Sequence, residues 1–246
     1  MPLVHDRAIC LRRLDYSETS QILLLFGRKH GLLRVIAKGA HRRTKAGASK
    51  FDGGLDLLDV GRAVVIYSSE KELSTLTEWG LVEGHLELRR SLRGIYLAQY
   101  AAELVYSLME EHDPHPELFD LLEQTLIELA KPTREQVFLL FELFLLRTLG
   151  YLPRFGSCSS CGRSNVNAES FSVTTGGIVC KDCESLVHDR VPLDPRLIRL
   201  TQSLLRAPSR LPQLTRHQTD PLNRVLAAHI EQTLNKRLRT TKYVLT

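Results

Sequence analysis

Four of the five cysteines stand as Cys158-Ser-Ser-Cys161, eighteen further residues, and Cys180-Lys-Asp-Cys183. This C-x2-C-x18-C-x2-C pattern restricts the fold more than any other feature of the chain, because it reads as one four-thiolate site for zinc. A two-residue spacer lets both sulfurs of a tight knuckle reach one ion at about 2.3 Å, and four thiolates close a tetrahedral shell with no open position for water. The expectation is one structural zinc ion per chain on Cys158, Cys161, Cys180 and Cys183. It would fold its own segment and perform no catalysis. Gly162 permits the left-handed turn of the first knuckle. Phe171 to Cys180 reads as a hairpin that leads into the second. Two disulfides, or a degenerate site without metal, are the alternatives; an intracellular setting disfavours the disulfides. Cys10 falls in the first predicted strand and reads as a small core residue.

That setting is itself an expectation. The N-terminus has no basic segment followed by an apolar core. No apolar run approaches the ~20 residues of a membrane helix, and the richest, Val137 to Leu146, is interrupted by Glu142. A soluble cytoplasmic protein with no membrane partner is expected. Apolar residues at 43% and charged residues at 25% exclude a disordered chain, a collagen and a coiled-coil rod.

The net charge of +5 conceals a segregation. Residues 1–50 carry 11 Lys/Arg against 3 Asp/Glu, residues 51–150 carry 8 against 18, and residues 151–246 carry 14 against 7. No acid lies between Glu18 and Asp52, a stretch that holds eight cations, from Arg28 to Lys50. Such a surface suits polyanions, most simply nucleic-acid phosphates. The acidic middle reads either as solvated helix faces or as a protein-docking face.

Residues 4–14, 18–27, 31–38, 62–69 and 72–80 read as strands. In the third, Leu33, Val35 and Ala37 alternate with Arg34, Ile36 and Lys38, so one face is largely basic. Gly39 to Lys50 is small, polar and basic, and reads as a loop. Five short strands in about 80 residues fit a small barrel, of which the OB fold is the nucleic-acid-binding example. From Leu86 the period becomes helical through Met109. Further helices are expected over about 116–130, from Thr133 with a capping box to Gln136, near 194–206, and over 219–239 starting at Thr219-Asp220-Pro221. The expected class is α+β multi-domain. Residues 1–82 form an OB-fold β-barrel, and residues 83–246 form an α-helical domain with an inserted zinc-ribbon-like module at about 155–190.

Enzyme signatures are absent. No Gly-Lys pair exists, hence no Walker A loop and no expected nucleotide cofactor. Neither H-E-x-x-H nor G-x-S-x-G occurs. His85-Leu-Glu87 matches the H-x-E of zinc deaminases by chance, since the nearest C-x-x-C is about 70 residues away and lacks the preceding proline. His112 and His115 are separated by Asp113-Pro114, which suits a solvated turn rather than a metal site.

The order of these pieces resembles the bacterial RecO family of DNA repair and recombination mediators. The resemblance is carried by Arg12-Arg-Leu-Asp-Tyr-Ser-Glu-Thr-Ser20, Leu24-Leu-Phe26, Gly31-Leu32 and Ala37-Lys-Gly-Ala40 with Arg42-Arg43. It continues with Glu117-Leu-Phe-Asp-Leu-Leu-Glu123, Phe141 to Pro153, and the segment Cys158 to Cys183. It implies a non-enzymatic protein that binds single- and double-stranded DNA and anneals complementary strands. It further implies work with RecR, contact with the single-strand-binding protein SSB, and assistance to RecA loading on coated strands, in the cytoplasm at the nucleoid. Matched to this chain, the DNA surface would be Arg34, Lys38, Arg42, Arg43, Lys45 and Lys50, with Arg12 and Arg13 secondary. Tyr16 and Phe26 are read as turn or core residues before base-stacking ones. The basic C-terminal third would extend this surface or receive the acidic tail of SSB. The rival reading is a zinc-ribbon transcription or translation factor.

Overall fold

The computed structural model describes residues 2–40, 51, 55–68, 72–164, 166–207 and 213–245. The chain divides into two compact units, Met1–Ala130 and Lys131–Thr246.

In the first unit β1 (Leu3–Asp15), β2 (Gln21–Gly27), β3 (Gly31–Ala37), β4 (Val60–Ile66) and β5 (Ser74–Glu83) form a closed barrel in the order β1-β2-β3-β5-β4. All neighbours are antiparallel except β3 and β5, which pair in parallel at Val35–Ser74, Ile36–Thr75 and Ala37–Leu76. This is the OB topology expected from the five strands. Period-two alternation sets which side chains turn inward. Leu33, Val35 and Ala37 are buried with Leu23, Leu25, Ala63, Val65, Leu76 and Trp79, while Arg34 and Lys38 are exposed and Ile36 is half-buried. Cys10 lies in this core, and burial, with Asp59 beside it, pushes its thiol up to about 12.

The helical period from Leu86 does not make one helix. It breaks into α1 (Leu86–Arg89) and α2 (Leu92–Leu108), because Ser91 is extended and its hydroxyl accepts from the Gly94 N–H at 3.1 Å, starting a new helix. α3 covers Pro116–Glu128 with proline in its first turn. Its Phe119 meets Phe26 edge to face, ring centroids 5.6 Å apart, so Phe26 is a core residue. The strand-to-helix change falls at residues 83–86, but the compact unit runs on to Ala130, since α1 to α3 belong with the barrel.

In the second unit α4 (Arg134–Thr148) is buried on most sides, as its apolar run requires. The predicted capping box at its start does not form. The Thr133 side chain makes no cap bond, and the Gln136 Oε1 accepts from the Leu214 N–H at 2.9 Å instead. A three-stranded sheet follows, with β6 (Ala168–Ser172) between β7 (Gly177–Cys180) and β8 (Arg190–Pro192), and a 3₁₀ turn over Lys181–Leu186. α5 (Pro195–Arg206) starts at Asp194, whose carboxylate accepts from the Arg196 N–H at 2.7 Å. α6 (Arg216–Leu234) starts earlier than the sequence suggested. Gln218 Oε1 accepts from the Thr215 N–H at 2.9 Å, and Pro221 sits inside the helix rather than at its start. A last turn, α7, covers Thr241–Val244.

Candidate nucleic-acid face and cysteine site

Cross-strand register places Arg12, Leu24 and Arg34 in one row on the outer face of β1-β2-β3, and Ile36 opposite Ile22. Ile22, Leu24 and Ile36 are half-buried, and Arg12, Arg34 and Lys38 are exposed around them. The strip is aliphatic and offers bases apolar contact without an aromatic platform, while the flanking cations suit phosphates. The cations are not equivalent. Arg34 pairs with Glu111 at 2.6 Å and approaches Glu72 at 3.7 Å. Arg13 pairs with Asp56 at 3.1 Å. Arg12 and Lys38 have no acidic partner among the described residues. Arg42, Arg43, Lys45 and Lys50 lie outside the described residues. Tyr16, in the β1–β2 connection, is 65% exposed.

The charge segregation of the sequence resolves largely inside the first unit. Arg28 grips Asp120 of α3 with two bonds of 2.7 and 2.8 Å and holds that carboxyl below the usual range. Arg7 pairs with Glu123, also on α3. Acids from 111–123 thus take Arg7, Arg28 and Arg34, which leaves the β1-β2-β3 face its unpaired Arg12 and Lys38. The sequence gives no local sign of these pairs, because partners are 77 to 116 residues apart.

The second site is the cysteine cluster. The Sγ atoms of Cys158, Cys161, Cys180 and Cys183 all lie within 4.8 Å of one another, and this is the one group of metal-ligating residues found among the described residues. Cys161 and Cys180 stand 3.9 Å apart, close to the ~3.8 Å edge of a tetrahedron with 2.3 Å metal–sulfur bonds. The first knuckle turns as the sequence predicts. Gly162 has φ 76°, and its N–H donates to the Cys158 carbonyl at 2.9 Å. The Cys180 N–H donates to the Cys158 sulfur at 3.4 Å, a bond that supports a thiolate. The donor set therefore fits one tetrahedral ion of thiolate preference.

One contributor was not read from the sequence. Arg163 donates from Nε to the Cys161 sulfur at 3.4 Å and from Nη2 to the Cys180 sulfur at 3.8 Å, and it also pairs with Asp182. The signal was its place two residues after Cys161, where the knuckle's turn returns the chain past its own sulfur. This guanidinium pulls the exposed Cys161 thiol down to about 6. Cys183, hydrogen-bonded to Cys180 and buried, is pushed up to about 12. Four sulfurs this close do not all ionise without a cation among them. His115, by contrast, sits between Asp113 at 3.0 Å and Glu117 at 3.2 Å as a surface turn. No helix among the described residues is long and apolar enough to cross a membrane.

Both halves of the chain match known protein families. Residues 1–85 match the family described as Recombination protein O N terminal, and residues 89–242 match Recombination protein O C terminal. A DNA repair protein RecO of Myxococcus xanthus is 33% identical over 243 residues, covering 97% of this chain and 96% of its own. One from Anaeromyxobacter dehalogenans is 32% identical over 99% of this chain and 96% of its own length. One from Rhodopirellula baltica is 37% identical over 72% of this chain and 65% of its own.

Proposed function

The chain belongs to the RecO family of DNA repair proteins, and on that premise we propose that it is a non-enzymatic recombination mediator. It binds single- and double-stranded DNA and anneals complementary strands. With RecR it assists RecA loading on SSB-coated DNA, at the nucleoid in the cytoplasm. The observation that carries the reading is the outer face of β1-β2-β3. There Arg12 and Lys38 have no acidic partner among the described residues, whereas Asp56 and Glu111 take the neighbouring Arg13 and Arg34.

The mechanism is charge neutralisation. Two DNA strands repel each other, and a basic surface that holds both releases counterions from each, so pairing proceeds without ATP. If about six cations, among them Lys38, Arg42, Arg43, Lys45 and Lys50, touch single-stranded phosphates, log K falls with log salt at a slope of about −4. Zinc held by Cys158, Cys161, Cys180 and Cys183 would tie the β6–β7 hairpin to the first knuckle and supply structure rather than chemistry. Arg163 offsets part of the negative charge that four thiolates leave on such a site.

Annealing of two complementary strands precoated with SSB, without ATP, tests the function. The intact protein is expected to anneal them, and an Arg42→Glu, Arg43→Glu, Lys45→Glu variant to lose the activity and flatten the salt slope by about 2. Failure of the intact, folded protein would remove the mediator reading and put the zinc-ribbon factor in its place.

A further inference from the structure

The barrel has a second opening, away from the apolar strip of β1-β2-β3. Where β1 begins, β2 turns into β3 and β4 ends, there is a cavity of about 330 Å³. That is near the lower end of the sizes that hold small ligands, roughly 300 Å³ and above. Its floor includes Leu33 and Val65, both members of the buried barrel core. Its walls carry the rings of His30, Tyr67 and His112. Tyr67 and His112 meet edge to face with centroids 5.2 Å apart. Lys29 lines the same cavity, is exposed, and has no ion-pair partner among the described residues.

His112 is held there against its backbone preference. Its φ is 64°, a conformation that residues with a side chain seldom adopt. Its N–H donates to the Leu32 carbonyl at 3.1 Å, and Glu111 forms a β-bridge with Leu32. The 110–115 turn presses so closely on β3 that a Cβ at Gly31 would stand 2.3 Å from the Asp113 carbonyl oxygen. Strained residues fixed by their surroundings are found where a ligand is received.

The neighbouring carboxylates are already engaged. Asp6 is buried and accepts from His30 Nδ1 at 2.8 Å and from the Lys29 and His30 N–H groups. Glu111 is held by Arg34 at 2.6 Å, and Asp113 by His115 at 3.0 Å. No free carboxylate among these opposes an anion at Lys29. Glu111 also links the cavity to the DNA face, since it adjoins His112 and grips Arg34 of β3.

We infer that this barrel mouth holds one unpaired nucleobase of a bound DNA strand, with the adjoining phosphate on Lys29. An apolar floor, ring walls with polar edges and one free cation suit a flat heteroaromatic group that carries an anion. The inference rests on the DNA-binding reading above and adds to it a place that duplex DNA cannot fill, since a paired base is not free to leave its stack.

Photocrosslinking of the full chain to a short oligodeoxythymidine strand carrying one 5-iododeoxyuridine tests this, with adducts mapped by mass spectrometry and total binding measured in parallel by anisotropy. Adducts at Tyr67, His112 or His30 are expected, suppressed by excess thymidine 5′-monophosphate. Lys29→Glu, a surface change that leaves the core intact, is expected to lower their yield about fivefold while most of the binding persists. Normal binding with adducts confined to the β1-β2-β3 face overturns the inference and leaves the function standing. Suppression by N-acetyltyrosine amide but not by the nucleotide also overturns it and assigns the mouth to an aromatic side chain of a protein partner. Loss of all oligonucleotide binding removes both readings.

Discussion

The barrel of the first unit and the cysteine module of the second are both small β structures, but different forces hold them. The barrel closes on itself and encloses a described core of fourteen buried residues, from Ala8 to Trp79. The module's sheet has three short strands, and its buried cluster is Cys158, Val179, Cys180, Cys183 and Val187. Three of those five are the proposed ligands, so this cluster keeps little apolar packing if the sulfurs are not tied together, and only Phe171 and Ile178 beside it add large buried side chains to β6 and β7. A closed apolar core is stable by burial alone, whereas a module of this size needs a bond among its side chains. Nature of the core, not sheet content, separates the two.

The sharpest way to break this comparison is to remove a sulfur. Cys180→Ser, or strong chelation, is expected to abolish amide-exchange protection over Ala168–Cys180 while the barrel strands keep theirs. Structural zinc contributes on the order of 10 kcal/mol in isolated zinc peptides, several times what burial of Phe171 and Ile178 supplies. Protection that survives in the variant would show that the module does not depend on its sulfurs. The converse experiment is in the barrel. A Cβ at Gly61 would stand 2.3 Å from the Trp79 ring, which is 2% exposed. Gly61→Ala is therefore expected to cost about 3 kcal/mol in denaturant unfolding of the first unit, leaving the zinc content unchanged.

The smallest effect probes a flaw in the second unit. Glu142 of α4 is fully buried, and neither carboxylate oxygen has a hydrogen-bond partner among the described residues. Burial alone raises its carboxyl well above the ordinary range. The native state therefore keeps a proton that the unfolded chain releases above about pH 4.3. Stability is full below that pH and falls as pH rises toward the native value. Glu142→Leu should gain about 2 kcal/mol at pH 7, and the gain should shrink as the pH is lowered toward about 4. A gain independent of pH would mean that the carboxyl is not what costs stability there.

Local signals were legible and distant ones were not. Strand alternation around Val35, the C-x2-C spacing with Gly162, and the apolar run of α4 each arise from residues within one or two turns of chain, and the structure shows all three. The start of α4 was placed correctly at Thr133, but its cap was misread, because a local cap competes there with a remote partner. Gln136 matches a capping box in sequence, yet it serves Leu214, 78 residues away. The charge pattern was seen but not its resolution. Nothing near Arg28 announces Asp120, so a segregated sequence looked like two separate surfaces when much of it is one set of ion pairs. The strained backbone of His112 was hidden for the same reason. Its left-handed backbone is dictated by Gly31 and Leu32, not by its own neighbours.

The parallel pairing of β3 with β5 also governs how the chain leaves the ribosome. Strands β1 to β3 can form a meander as they emerge, but the free edge of β3 finds its partner only when Ser74–Leu76 follows, 37 residues after Ala37. At roughly 5–20 residues per second that edge stays open for a few seconds, the interval in which nascent chains join edge to edge. Arg42, Arg43, Lys45 and Lys50 are synthesised directly behind it. Like charges on neighbouring polysomal chains would keep two such edges apart until β5 arrives, so the residues proposed to hold DNA would also protect the nascent barrel.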